Sequence, residues 1–297
     1  MAAAACLGVA SGCAHAAQGH KVDIGGYRLR LHCAGQGSPV VVMDSGLGDT
    51  METWADVWPD VKEFTRVCVY DRAGLGKSDE GPVPRTSQRI ADELHGLLGM
   101  ARVPAPYLLV GHSFGGLNVR LFAAEHPDQV AGLVLVEATH EDYPRREKEL
   151  RSLADKRRIE TSLTLAPPAA RSEYESLGAS ADQLRAAGPL PDVPVVVITA
   201  AHCCETEALT RAWMELQKDL VSRSPKARQV IAGESGHYVP FDQPGLIVDA
   251  LRDMVASIRG KKKAPGPGSG GDPGSGTNPA GKPAGPRPAP RATQQVP

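Results

Sequence analysis

The chain has 297 residues, 41% of them apolar and 23% charged, with a net charge of −1. That length suits one large α/β domain with room for an appendage, and the balanced charge gives no basis for binding nucleic acid. No run is long and apolar enough to span a bilayer.

Residues 1–20 read as a leader or signal-like segment: MAAAACLGVASGCAHAAQG is small and apolar. Ala14-His15-Ala16 suits a signal-peptidase site. Ala10-Ser11-Gly12-Cys13 loosely resembles a lipoprotein box, with Cys13 the residue that would carry a lipid anchor, although a positively charged n-region is missing. The reading favours export (secreted, periplasmic or lipoprotein), with a cytoplasmic leader as the alternative. Tyr27–Cys33 alternates apolar and polar residues, as a half-buried strand does. Pro39–Met43 is a continuous apolar run that suits a strand covered on both faces. It ends in the loop Asp44-Ser45-Gly46-Leu47-Gly48-Asp49. Trp54 to Phe64 reads as partly helical. Val67–Tyr70 is a short strand ending in Asp71-Arg72-Ala73-Gly74-Leu75-Gly76-Lys77-Ser78. Thr86 or Ser87 can cap a helix whose apolar face is Ile90, Leu94, Leu97 and Leu98.

Leu108 to Val110 then meets Gly111-His112-Ser113-Phe114-Gly115. This is G-x-S-x-G between an expected strand and an expected helix, Leu117 to Glu125, which His126-Pro127 ends. So sharp a strand-to-helix turn pushes the central side chain outward and needs glycines where a Cβ would obstruct it. Ser113 would thus point into a cleft at the start of a helix, where the helix dipole favours developing negative charge.

Gly132–Val136 is another strand, ending at Glu137. About 140–192 is rich in Arg, Lys and Glu, is broken at Pro167-Pro168 and Gly188-Pro189, and reads as a helical lid insertion. Val195–Thr199 returns to buried-strand character. Leu209, Trp213, Leu216 and Leu220 mark a helix face, and Gln229–Ala232 a last strand. Gly233-Glu234-Ser235-Gly236-His237 forms a loop before a final amphipathic helix through Ile258. From Lys261 onward, Lys261, Lys262, Lys263, Lys282, Arg287 and Arg291 stand against Asp272, a net of +5 that leaves −6 for the remainder. The stretch 260–297 is dominated by Gly, Pro, Ser and Ala and reads as a disordered basic tail, a solvated spacer. The domain proper is thus 21–259. Alternating strands and helices predict a mostly parallel sheet with helices on both faces, its ligand at the carboxyl ends of the strands.

Together the motifs D-S-G-L-G, D-R-A-G-L-G-K-S, G-H-S-F-G-G and S-G-H, in this order, resemble the α/β-hydrolase superfamily over roughly Val22 to Arg259. The resemblance implies an α/β-hydrolase fold and a serine hydrolase with Ser113 as nucleophile and His237 as base. It also implies an oxyanion hole made by the Phe114 and Leu47 amides. Relatives often carry His-Gly where this chain has Ser45-Gly46; a backbone donor survives that change. The triad acid departs from the common pattern. The loop after Thr199, Ala200-Ala201-His202-Cys203-Cys204-Glu205-Thr206-Glu207, holds no aspartate, so Glu137 is the candidate and Glu205 the alternative.

By the same resemblance the strands of Cys33 and Cys68 are neighbours, so an exported protein would suit a disulfide between them, two buried thiols being the other reading. Cys203-Cys204 is either a vicinal disulfide or two thiols. Adjacent ligands in His202-Cys203-Cys204-Glu205 converge poorly on a metal, and neither metal nor cofactor is implied. The expected substrate is an uncharged, small-to-medium carboxylic ester. The alternatives are the same triad on another bond (a C–C hydrolase, aminopeptidase or perhydrolase) and a noncatalytic binding protein on the hydrolase scaffold. Epoxide hydrolase and haloalkane dehalogenase chemistry need a carboxylate where Ser113 stands.

Overall fold

The computed structural model describes residues 19–263. Cys13, the rest of the leader to residue 18 and the tail past Lys263 lie outside the described residues. Eight strands form one sheet: β1 (His20–Asp23), β2 (Arg28–Ala34), β3 (Val40–Asp44), β4 (Val67–Tyr70), β5 (Tyr107–His112), β6 (Val130–Val136), β7 (Val195–Ala200) and β8 (Ala227–Ala232). Their spatial order is β1-β2-β4-β3-β5-β6-β7-β8. β1, β2 and β4 pair antiparallel, and the remaining neighbours are parallel. β1 is a strand that hydropathy did not mark. It begins at His20, the last residue expected in the leader, and its four residues are mostly exposed.

The helices are α1 (Trp58–Val61), α2 (Ser87–Met100), α3 (Gly115–Glu125), α4 (Tyr143–Leu150), α5 (Leu153–Leu165), α6 (Pro168–Glu175), α7 (Leu177–Ala186), α8 (Glu207–Ser222), α9 (Val239–Asp242) and α10 (Pro244–Lys263). α10 runs three residues past Gly260, where the domain was expected to end. Thr86, not Ser87, caps α2: its side chain accepts from the Arg89 amide, while Ser87 Oγ donates to Asn118 Oδ1 at 2.7 Å.

The continuous apolar runs are explained by helices on both faces of the sheet. Val40 and Val42, Leu109, Leu133 and Leu135, and Val195 and Val197 pack with α2 and α3. Their alternates Val41 and Met43, Leu108 and Val110, Val134 and Val136, and Val196 and Ile198 pack with α1 and α10. Period two puts successive residues on opposite faces, and both faces are apolar because neither meets water. Each fully buried Leu or Val stabilises the fold by about 1.5–3 kcal/mol relative to exposure.

α4 to α7 fill the interval between β6 and β7 and lie outside both cores, apart from the edge contacts of Leu184 and Leu177. α4 buries none of its side chains, and α5 buries only Ile159 and Leu163. None of the helices is long and apolar enough to cross a membrane, among the described residues.

Cys33 and Cys68 face each other across β2 and β4 and are joined as a disulfide that closes 35 residues of chain. A loop of that length limits the unfolded ensemble by about 3–4 kcal/mol. A Cys33→Ala/Cys68→Ala variant should therefore lose about that much ΔG and unfold at lower urea, with an m-value as large as the parent's or larger because its unfolded chain is less confined; a variant as stable as the parent would remove the link from the stability account.

Candidate active site

The turn after β5 is tight. Ser113 has φ +50°, in the left-handed region, at a residue with a side chain. Its amide donates to Val136 O at 3.1 Å, and its carbonyl accepts from Gly116 and Thr139 amides, both at 2.9 Å. These bonds hold a backbone conformation that costs of order 1–3 kcal/mol. The glycines are required by close approach: a Cβ on Gly111 would lie 2.6 Å from Gly115 O, and one on Gly115 2.5 Å from Asp44 O. Helix α3 thus sits directly on the end of β3, next to the loop that carries Leu47. Among the described residues, neither the Phe114 nor the Leu47 amide meets a protein acceptor.

His237 lies on the loop after β8. Its Nδ1 is 3.2 Å from Glu137 Oε2. Glu137 follows β6, is fully buried and is itself left-handed at φ +46°. Its other oxygen, Oε1, accepts from the Ala200 amide at 2.7 Å and from Trp213 Nε1 at 3.1 Å. A buried carboxylate needs such donors to remain where it is. Trp213 looked in sequence like one more apolar residue on the α8 face. Its indole N–H and its edge-on packing, 5.6 Å from the His237 ring, give it a second part, as support for both members of the pair. A lone Trp at helical spacing carries no signal for this.

Glu205 is elsewhere. It is half exposed and binds Arg151 at 3.0 Å and Arg158 at 2.5 Å, so its carboxylate faces α4 and α5 rather than His237. Beside it, Cys203 and Cys204 are bonded to each other.

His112, within the turn, was expected to support it. It is 1% exposed, and burial pushes its pKa down to about 3, with the His237 charge a smaller cause. It is therefore neutral, and its Nε2–H donates to the His237 carbonyl at 2.9 Å. That bond fixes the loop of His237 to the residue preceding Ser113.

The loop after β3 is held by Arg72, which follows β4 and is 2% exposed. Its Nη1 donates to Asp44 Oδ1 at 2.6 Å and Ser45 O at 2.7 Å, and Nη2 to Gly46 O at 2.5 Å. Nε and Nη2 also bind Glu173 of α6, at 2.7 and 2.9 Å. Glu173 in turn accepts from the Gly48 amide at 2.8 Å. Arg72 and Asp44 stood inside motifs in the sequence; Glu173, 101 residues from Arg72, had no local signal.

Ser113 and His237 line one cavity of about 400 Å³, together with Leu47, Phe114, Trp213 and Tyr238. α4, α6 and α7 close part of it with Tyr143, Tyr174 and Leu177.

The alpha/beta hydrolase fold family model matches residues 39–193, about half of the chain. The protein belongs to this family. Among curated relatives, the α/β-hydrolase chain is 26% identical over 224 residues to the uncharacterized protein YqjL of Bacillus subtilis, covering 75% of this chain and 86% of that one. Among solved structures it superposes on a thermophilic esterase from Thermogutta terrifontis with a TM-score of 0.59 at 22% identity, covering 82% of this chain and 99% of the esterase. It also superposes on the epoxide hydrolase CorEH with a TM-score of 0.57 at 18% identity, covering 82% and 99%. At such identities the likeness carries the fold and leaves the reaction open between them.

The depressed His112 pKa has a stability consequence of definite sign. The unfolded imidazole binds a proton near 6.5 and the folded one only near 3, so stability is lost as pH falls below about 6.5. His112→Asn keeps a donor toward the His237 carbonyl without a titrating ring. Urea unfolding at pH 7 and pH 4.5 should show a larger acid loss for the parent than for the variant; parallel losses would mean that His112 does not titrate in this way.

Proposed function

We propose that this α/β-hydrolase is a serine hydrolase that cleaves small-to-medium carboxylic esters through an acyl-enzyme. The observation that carries the reading is the His237–Glu137 contact of 3.2 Å in the wall of the cavity that also holds Ser113. An outward serine at a strained turn, an imidazole on a partner carboxylate and two amides without protein acceptors are the parts acyl transfer needs. A serine at the nucleophile position favours the esterase-like reading over the epoxide hydrolase one.

In this mechanism Ser113 Oγ attacks the ester carbonyl while His237 takes its proton. Glu137 accepts a hydrogen bond from His237 Nδ1–H, which keeps the other ring nitrogen free as the base, and it stabilises the imidazolium without taking the proton. The Phe114 and Leu47 amides bind the oxygen as its charge develops. His237 then protonates the leaving alcohol. A water, deprotonated by His237, attacks the acyl-enzyme carbonyl and releases the acid and Ser113. The helices α4 to α7 act as the lid, and residues 19–263 as the working domain. The disulfide between Cys33 and Cys68 supports export to an oxidising compartment.

A fluorophosphonate probe followed by peptide mapping tests the nucleophile. Label is expected on the peptide containing Ser113 and absent from Ser113→Ala; no label on folded protein would defeat the proposal. The acid is tested separately. Glu137→Gln should lower kcat by about 10³- to 10⁴-fold, and Glu205→Gln by less than about threefold, since its partners are surface arginines. A collapse confined to Glu205→Gln would reverse the assignment.

A further inference from the structure

The cavity carries one group that the proposed mechanism does not use. Three carboxylates line it: Asp49, Glu147 and Glu205. Two are satisfied by the single lining arginine, Arg151, which is 2.7 Å from Glu147 and 3.0 Å from Glu205. Asp49 has no such partner among the described residues. Its side chain is 21% exposed, and His112 Nδ1 lies 4.0 Å from its Oδ2. That nitrogen is no donor. His112 is neutral with its proton on Nε2, so Nδ1 presents a lone pair, buried and without a hydrogen-bond partner. Two acceptors thus face each other with no donor between them.

Asp49 also stands close to the reacting centre. A Cβ on Gly46 would lie 2.6 Å from Asp49 Oδ2 and 3.0 Å from His112 Nδ1, which puts the carboxylate against the peptide that leads into Leu47. Arg72 is near but spent: its donors go to Asp44, Glu173 and two carbonyls, and those two carboxylates outweigh its charge. The remaining walls include the rings of Trp213, Tyr143, Tyr174 and Tyr238. Aromatic faces beside an unpaired carboxylate suit a cation.

We infer that Asp49 is a binding subsite for a substrate ammonium group, so that the esters cleaved best carry a cationic nitrogen a few atoms from the carbonyl. The inference rests on the serine-hydrolase reading and replaces the uncharged ester expected from sequence with a charged one. A cation there neutralises a carboxylate that is costly to cover with substrate while unpaired. The groups facing Asp49 are Arg72, His237, Glu173, His112 and Tyr238. Burial raises its pKa to about 6, with Arg72 and His237 opposing and Glu173 reinforcing the rise, so it is ionised at pH 8.

The test compares isosteric esters at pH 8 by pH-stat: β-alanine methyl ester against methyl butanoate for a cation on the acyl side, and choline acetate against 3,3-dimethylbutyl acetate for one on the alcohol side. Ser113 labelling is scored in the same preparations. Within at least one pair kcat/KM should favour the cation by about tenfold, mostly through KM. Asp49→Asn should bring that ratio to about one, and Asp49→Glu should restore part of it. The ratio should also fade as pH falls through about 6, where Asp49 loses its charge. Turnover of the neutral esters with no cation preference in the parent overturns the subsite and leaves the hydrolase reading standing, whatever the variants do. A preference that survives Asp49→Asn also overturns it. Labelled Ser113 without turnover of any of the four esters rejects this substrate class. No label and no turnover removes the hydrolase reading and the subsite together.

Discussion

The Arg72 guanidinium is the contact on which the site's geometry depends. One side chain joins three pieces of chain distant in sequence: the end of β3, the end of β4 and helix α6. An arginine suits this because its planar fork can satisfy two carboxylates and two carbonyls at once. The arrangement is fully buried, and breaking such a pair by removing one partner costs about 3–5 kcal/mol, because a charge is left alone in a poor solvent for it. The loop bearing Leu47 is therefore held by a charge network as well as by the packing of Leu47 on the core. The helical insertion is tied into the same network through Glu173 of α6.

A second chain of support runs from the turn at Ser113 to His237. His112 precedes the serine and donates to the carbonyl of His237, while Glu137 holds the imidazole from the other side. Glu137 is itself fixed by β7 through the Ala200 amide and by α8 through Trp213. Ser113, His237 and Glu137 are thus referenced to the ends of β5, β6 and β7. Local strain at Ser113 and Glu137, both with positive φ, is affordable because each is over-determined by these bonds.

Much of this was legible before any coordinates. The apolar runs at Val40–Met43, Leu108–Val110 and Val195–Thr199 announced strands covered on both faces, since only a two-layered cover makes every position apolar. The glycines of the turn announced close approach, and the order of motifs announced the family. The legible features were local or periodic. β1 escaped because an exposed edge strand has no hydropathic period to read. Thr86 and Ser87 were equivalent as caps until Asn118 claimed the serine. The contacts of Asp49, Glu173 and Trp213 escaped for a different reason: each arises from residues brought together across tens of positions, and nothing in the flanking sequence of a single carboxylate or indole reports its partner.

Two parts of the helical insertion are fastened by different physics. At α6, Glu173 meets Arg72 out of water, where mobile ions cannot reach. Near α4 and α5, beside the packing of Tyr143 on Trp213, there are exposed pairs, Arg146 with Glu215 and Arg158 with Glu205. Dissolved salt weakens such surface pairs over a Debye length of about 8 Å at physiological ionic strength, whereas the buried pair is screened far less. The insertion therefore has contacts that ionic strength can loosen and one, at α6, that it cannot.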